Sequence, residues 1–377
     1  MQSELAARNW DFEVWFMARS EPNRNWTLEE SDFAFPHQFL RGVHWNAANC
    51  AWHLNLEIVS RLRRSRPDVL LVSGSWTLPT VWLAALTRTG GAKVFWSESH
   101  LDSVQRRGGI SNLVRRCVLS RFSSFAVPGM LAREYVEAFA RPTHVYELPN
   151  LVDPTRFRDR VSALRDSHPA HKEDRERTLL VVARLAPEKG LLQFLRGVRL
   201  LSKDERSRLR IVIAGDGPQR RAVQEQALDL GVALPGQRIE DELTTLYAEA
   251  DGFCLPSLFD PNPLAVIEAL WAGLPLMLSS RIGNHPECLI PGQNGFLFDP
   301  FSPESIAAAI SQWLSLTAEQ LKNFAMTSLE IAERAFEPKT AIANFLNQVL
   351  ERPATSTRLE PSHNLVRRQT PSGSANR

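Results

Sequence analysis

Apolar positions along this chain fall into short continuous runs separated by amphipathic stretches, and that spacing predicts an α/β protein. Runs at 68–72, 92–96, 124–127 and 144–148 read as buried strands, with helices over 76–88, near 110–121 and over 130–140 between them. A second series of runs lies at 178–183, 211–214, 252–255 and 275–278. Near-continuous apolar strands of this kind belong to parallel sheets covered on both faces, joined by crossover helices. The start is different: a helix-like 4–8 leads into a strand at 11–18. An open α/β domain is expected to begin with a strand and a tight turn, so the first strand of the first domain reads as missing. The alternative is a domain that begins with a helix. The pattern divides the chain into a first domain at 1–155, a polar linker at 156–177, a second domain at 178–336, a last helix within 337–351 and a tail at 352–377. That tail is rich in Pro, Ser and Thr and is expected to be disordered.

The stretch 251–273 is the centre of the second series. Gly252 to Leu255 reads as a strand closed by Pro256. Asn262 suits an N-cap and Pro263 the first helical position, where its missing N–H costs nothing. A helix then runs from Leu264 to Ala272, with Gly273 as its left-handed terminator. Glu268 is the one residue of that helix that is not apolar. A helix apolar on all faces is buried, and a lone carboxylate there needs a partner, from the fold or from a ligand. Strand, turn and helix N-terminus together form the geometry that places ligands at the carboxyl edge of a doubly wound sheet.

Composition adds little to this. With 44% hydrophobic and 23% charged residues and a formal net charge of +2, the 377-residue chain is an ordinary globular protein of two domains, not a dedicated nucleic-acid binder. Basic residues cluster at Arg61, Arg63, Arg64 and Arg66 and again at Arg106, Arg107, Arg115, Arg116 and Arg121. A solvated helix face and an anionic membrane surface account for them equally well. Cys50, Cys117, Cys254 and Cys288 are scattered, as in a reducing compartment. No signal peptide is visible and no apolar run approaches the ~20 residues that span a bilayer. A cytoplasmic location follows, with peripheral contact on the inner membrane face as the variant.

Chemistry concentrates at strand ends. Arg184 and Lys189 lie in a loop after the strand 178–183, next to a helix start; a helix N-terminus with two cations is a pyrophosphate site in physical terms. Taken alone, two such cations are more often surface charges. Leu234-Pro235-Gly236 forms a further loop, and Gly215-Asp216-Gly217 a tight turn. In the first domain Glu98 and His100 stand just past the strand 92–96, where an interdomain cleft would lie. No Asp-x-Asp, no metal-ligand spacing, no Gly-x-Gly-x-x-Gly after a first strand and no phosphate-binding Walker loop occur.

Asp260 and Glu268, eight residues apart within Pro256-Ser257-Leu258-Phe259-Asp260-Pro261-Asn262-Pro263-Leu264-Ala265-Val266-Ile267-Glu268-Ala269, resemble the paired-acid motif of retaining, family-4-type glycosyltransferases, P-S-x-x-E-x-F-G-x-x-x-x-E-A. Here Asp260 replaces the first Glu, and Asn262-Pro263 the Phe-Gly. Arg184 to Gly190 resembles the family's R-x-x-x-x-K-G loop, Ala214 to Pro218 its A-G-x-G-P turn, and Pro149 to Phe157 its interdomain P-N-x-V-D-x-x-x-F segment. Residues 281–287 and 292–296 match its closing pattern, read here as a turn and a strand entry. The resemblance implies the GT-B fold, two Rossmann-like doubly wound domains facing a cleft, with the last helix crossing back to the first. It implies that Asp260, Asn262, Pro263 and Leu264 face the transferred sugar and that Glu268 holds the nucleotide's ribose. Arg184 and Lys189 would hold the donor diphosphate, with Leu234 and Gly236 at the base and His100 or Glu98 at the sugar or acceptor. The implied reaction moves a hexose-type sugar, with retention, from a nucleoside diphosphate sugar to a saccharide or lipid-linked acceptor, without metal or other cofactor, in cell-surface polysaccharide or glycolipid synthesis. A GT-B nucleotide-sugar epimerase and a non-catalytic, nucleotide-binding remnant are the rival readings.

Overall fold

The protein is described by a computed structural model covering residues 1–20, 33–47, 50–103, 108–167 and 176–350. The first domain opens with α1 (Gln2–Ala7), β1 (Val14–Phe16), β2 (His37–Phe39) and a hairpin of β3 (Val43–Ala47) and β4 (Cys50–Leu54). It continues as α2 (Glu57–Ser65), β5 (Val69–Ser73), α3 (Pro79–Leu86), β6 (Ala92–Trp96), α4 (Gly109–Leu119), β7 (Ser124–Val127), α5 (Met130–Phe139) and β8 (His144–Glu147). Strands β5-β6-β7-β8 form a parallel sheet in that order. The strand expected over 11–18 is the short β1, and it pairs with β2 in a separate two-stranded sheet. The antiparallel hairpin β3–β4 was not expected from the sequence.

After β8 comes a helical turn at Thr155–Asp159 and then α6 (Arg160–Ser167). This corrects the reading of 156–177 as a plain linker over the part described. Phe157 and Val161 are buried in the second domain's core, and the Arg165 guanidinium donates to the carbonyls of Tyr247, Ala248 and Ala272. Spacing of Phe157 and Val161 by one helical turn puts both on one face.

The second domain runs β9 (Arg177–Val182), α7 (Leu191–Leu200), α8 (Lys203–Ser207), β10 (Leu209–Ala214), α9 (Arg220–Ala227), β11 (Val232–Gly236), α10 (Glu240–Glu249) and β12 (Gly252–Leu255). It ends with α11 (Leu264–Trp271), β13 (Leu276–Ser279), α12 (His285–Cys288), β14 (Gly295–Phe298), α13 (Pro303–Leu314), α14 (Ala318–Phe336) and α15 (Pro338–Leu350). All six strands are parallel in the order β11-β10-β9-β12-β13-β14, so the connection reverses direction between β9 and β12. A crevice opens at such a switch point, outside the carboxyl ends of the two strands.

Alternation along the strands fills two cores. Leu180, Phe253, Leu255, Leu276 and Leu278 point to one layer, Leu179, Val181, Cys254 and Met277 to the other. That is the period-two consequence of the pleat. The same division holds in the first sheet, where Phe95, Phe125 and Val127 face one core and Val94 and Ala126 the other. Helix α15 supplies Phe345, Leu346 and Val349 to that last cluster, beside Tyr146 and Leu148, although it follows the second domain in sequence. Among the described residues no helix is long and apolar enough to cross a membrane. The tail at 352–377 and the cations Arg106 and Arg107 lie outside the described residues.

Candidate active site

Two loops meet at the switch point. The first follows β9 and carries Arg184 to Gly190. The second follows β12 and carries Pro256 to Pro263. They are tied together by the main chain: the amides of Leu258 and Phe259 donate to the Glu188 carbonyl at 2.8 and 3.2 Å. Gly190 has φ +66°, and a Cβ there would stand 2.1 Å from the Pro256 carbonyl oxygen, so only glycine lets the loops approach this closely. The outcome is an ion pair between Lys189 Nζ and Asp260 Oδ2, whose side chains are 20% and 9% exposed. Burial pushes the Asp260 carboxyl above its ordinary value, Lys189 pulls it back down, and Glu188 adds to the upward push.

The second expected clamp cation stands apart. Arg184 is ion-paired with Glu188 one helical turn on, and its side chain is half exposed. Burial raises the Glu188 pKa, but its hydrogen bonds and the two neighbouring cations outweigh this and hold it below the usual carboxylate range.

Helix α11 starts at Leu264 with Pro263 as its N-cap residue, and no side chain caps it. This corrects the expectation for Asn262 and Pro263. Asn262 is buried at 9% exposure, and its amide Nδ2 has no acceptor. The loop is instead held from the far side, where Asn284 Nδ2 donates to the Pro263 carbonyl at 3.1 Å. Ser257 Oγ and Asn284 Oδ1 are likewise buried without a partner. Three unused polar atoms around one loop suit a ligand rich in hydroxyls. Leu264 is 45% exposed at the helix start, while Val266, Ile267, Ala269, Leu270 and Trp271 are buried as the apolar pattern requires. Glu268 accepts a hydrogen bond from the Tyr247 hydroxyl at 2.7 Å. Burial raises its pKa, with that hydrogen bond and Arg156 acting in the opposite direction.

The first domain reaches into this site. His100, 2% exposed, stacks on Phe259 with centroids 6.0 Å apart and bonds to the Asp260 main chain. Burial lowers its pKa and the Asp102 carboxylate opposes that, so the imidazole is neutral near pH 7. Asp102 pairs with Arg281 of the second domain at 2.9 Å. Glu98 faces the interdomain segment, where Asn150 Nδ2 donates to it at 2.7 Å. A further bridge is Glu287, whose Oε1 accepts the Met130 amide at the start of α5 at 2.6 Å.

The structure therefore brings Lys189, Asp260, Asn262 and His100 together, and sets Glu268 one helical turn behind. Leu234 and Gly236 lie on the edge strand β11, two strands away from β9, where the Gly236 carbonyl accepts the Gly215 amide at 2.9 Å. Sequence reasoning missed Tyr247, Phe259, Arg281 and Glu287 as members of the site. Residues 281–287 had been noted as matching the family's closing pattern and read as a turn; Tyr247 carried no signal, since its partner comes from a different helix.

Comparison with known proteins agrees with this architecture. Residues 165–328 match the family described as glycosyl transferases group 1. An uncharacterized glycosyltransferase of Methanocaldococcus jannaschii is 33% identical over 147 residues, 38% of this chain and 37% of the relative. A sulfoquinovosyl transferase of Arabidopsis thaliana is 28% identical over 66% of this chain and 50% of its own. A GDP-mannose-dependent phosphatidylinositol monomannoside mannosyltransferase of Mycobacterium tuberculosis is 28% identical over 67% and 69%. The chain thus spans half or less of the first two relatives. Among solved structures, sucrose-phosphate synthase from Thermosynechococcus elongatus superposes with a TM-score of 0.67 at 18% identity, over 92% of this chain and 90% of that one. The Anabaena protein HepE, solved with UDP, gives 0.69 at 15% identity over 90% and 100%. The fold is GT-B, as the sequence led us to expect.

Proposed function

We propose, from the match of residues 165–328 to the glycosyl transferases group 1 family, that the protein transfers a hexose-type sugar from a nucleoside diphosphate donor to a saccharide or lipid-linked acceptor, with retention at the anomeric carbon. The observation that carries this reading is the meeting of Lys189, Asp260 and the buried His100 at the β9/β12 switch point. A diphosphate at that crevice takes Lys189, and Arg184 swings in beside it. These cations neutralise the charge that grows on the leaving group, so no metal ion is needed. Asp260, released from Lys189, accepts from a sugar hydroxyl. Asn262 Nδ2 donates to another. Neutral His100 presents a hydrogen-bonding ring to the same sugar from the first domain. Glu268 accepts from the ribose, and the end of β11 at Leu234 and Gly236 borders the base. The mannosyl and sulfoquinovosyl transferases among the relatives support a role in glycolipid or cell-surface polysaccharide synthesis. On α4, Ile110 and Leu113 are 82% and 62% exposed beside Arg116, which supports peripheral contact with an anionic inner membrane face from a cytoplasmic position.

One observation favours a second reading. Lys189 and Asp260 satisfy each other, as they would in a remnant that only binds nucleotide. Release of nucleoside diphosphate, measured over a panel of donors and acceptors, separates the two. Acceptor-dependent release supports transfer. Tight binding without release points to the remnant, and release with conversion of the sugar but no acceptor points to an epimerase.

A further inference from the structure

Tyr247 occupies the last turn of α10 and is completely buried. A phenol taken out of water must find an acceptor for its proton. Two lie within reach: Glu268 Oε2 at 2.7 Å and the Ala265 carbonyl at 3.2 Å. The hydroxyl has one proton, and the shorter, charge-assisted bond to the carboxylate is the stronger of the two. Two aromatic rings pack against that of Tyr247. Phe157, from the segment joining the domains, packs edge-on against it at 5.4 Å and 84°, and Phe253 of β12 stacks on the other side at 6.1 Å and 22°.

Glu268 has the opposite character. It is the sole polar residue of α11, with an unbranched side chain whose rotamers are lost only if something fixes them. Among the described residues, Tyr247 is the group that donates a hydrogen bond to its carboxylate. We propose that Tyr247 is the positioning residue of Glu268, holding one carboxylate oxygen so that the other is aimed at a vicinal diol of the bound nucleotide. The inference rests on the reading of Glu268 as the acid that accepts from the donor's ribose. It adds a part that no motif contains, because the tyrosine belongs to the preceding helix and its ring packs against Phe157. Its bond also favours the ionised form of Glu268 against burial, with the Arg156 charge acting in the same sense.

The test is Tyr247→Phe, which removes one oxygen and leaves the ring contacts in place. Two readouts are needed, with the melting temperature as a control for folding. The first is titration of the Glu268 carboxyl by carbon NMR, assigned by its absence in Glu268→Gln. It is expected to move to higher pH in Tyr247→Phe, and this arm needs no ligand. The second is calorimetry with UDP and GDP as probes, expected to show dissociation constants ~2–12-fold weaker, the fold-change equivalent of one hydrogen bond. In a Glu268→Gln background the same change should have no further effect, since the group being positioned is gone. An unchanged Glu268 titration, or an equal loss of affinity in both backgrounds, overturns the proposal. If the unmodified protein binds neither UDP nor GDP, the functional reading fails, and the titration still decides whether Tyr247 governs Glu268.

Discussion

Lys189 and Asp260 are ion-paired across the gap between the loops that follow β9 and β12. The cation expected at the diphosphate and the acid expected at the sugar therefore neutralise each other in the ligand-free protein. Any anion entering the crevice competes with Asp260 for Lys189.

That competition gives an asymmetric prediction. Lys189→Ala is expected to weaken nucleoside diphosphate binding by about 1.5–3 kcal/mol, the range of a charged hydrogen bond. Asp260→Asn frees the lysine, so affinity for the same nucleotide holds steady or rises while turnover falls, the pattern of an interaction realised in the transition state. Calorimetry and initial rates on both variants check it. Tighter binding by Lys189→Ala would remove the lysine from the site.

Glu268 should behave differently from Asp260. Glu268→Gln is expected to weaken donor and free nucleotide alike, because both carry the ribose that the carboxylate would accept from. A loss confined to the intact sugar donor would place Glu268 at the sugar instead.

Glu287 carries a pH signature. Burial holds its carboxyl above the ordinary range, the Met130 amide lowers it, and Glu147 raises it further. The folded protein keeps this proton to higher pH than the unfolded chain, whose carboxyl titrates near 4.5. From there up to the folded value, the unfolded state binds fewer protons, so stability falls as pH rises. Glu287→Gln should remove that slope. Melting curves at pH 4 to 8 should show the variant gaining on the parent as pH increases; parallel profiles would mean the carboxyl is not held high.

Gly129 tests the same bridge from the other domain. A Cβ on it would lie 2.3 Å from the Glu287 carboxyl carbon, and a side-chain end can move away where backbone cannot. Gly129→Ala should therefore displace Glu287 from the first amide of α5 without breaking the fold, at a cost of about 0.5–2 kcal/mol, the value of a lost helix cap. Chemical denaturation of Gly129→Ala, alone and combined with Glu287→Ala, checks this. Full additivity would show that the two do not act through one contact.

Without an Asp-x-Asp to chelate a cation, turnover should persist in excess EDTA. Activity that vanishes and returns with Mn²⁺ or Mg²⁺ would show that Arg184 and Lys189 do not carry the leaving-group charge alone.

Much of the architecture could be read from the chain because buried parallel strands write themselves as unbroken apolar runs. The stretch Thr178 to Val182 is one such run, and Gly252 to Leu255 another. The hairpin β3–β4 escaped notice because Val43-His44-Trp45-Asn46 alternates in polarity without a run. The helical turn at Thr155–Asp159 and helix α6 were hidden by their many charges: Phe157 and Val161 carry their apolar face, while Arg158, Arg160 and Arg165 suggested a solvated linker. At the site, the acids and Lys189 were visible because the acids share one motif and Lys189 lies in another. Their pairing was not, since it depends on a loop-to-loop approach licensed by one glycine. The capping role expected of Asn262 failed for a related reason: Asn284, 21 residues beyond Pro263, holds that loop.

Helix α15 lies against β6, β7 and β8 through Phe345, Leu346 and Val349, with Phe345 edge-on to Tyr146 at 6.2 Å. During synthesis on the ribosome, the first domain emerges with that face of its sheet covered only in part, by Leu5 of α1 and its neighbours Trp10 and Phe12, and the cover is completed once residues 338–350 have followed. The second domain has no such debt to its sequence neighbours and can close its two cores first. The first half of the protein to be made is thus the last to be finished. A chaperone that recognises exposed apolar strands has its window on Val94, Ala126 and Leu148 for as long as the second domain takes to appear.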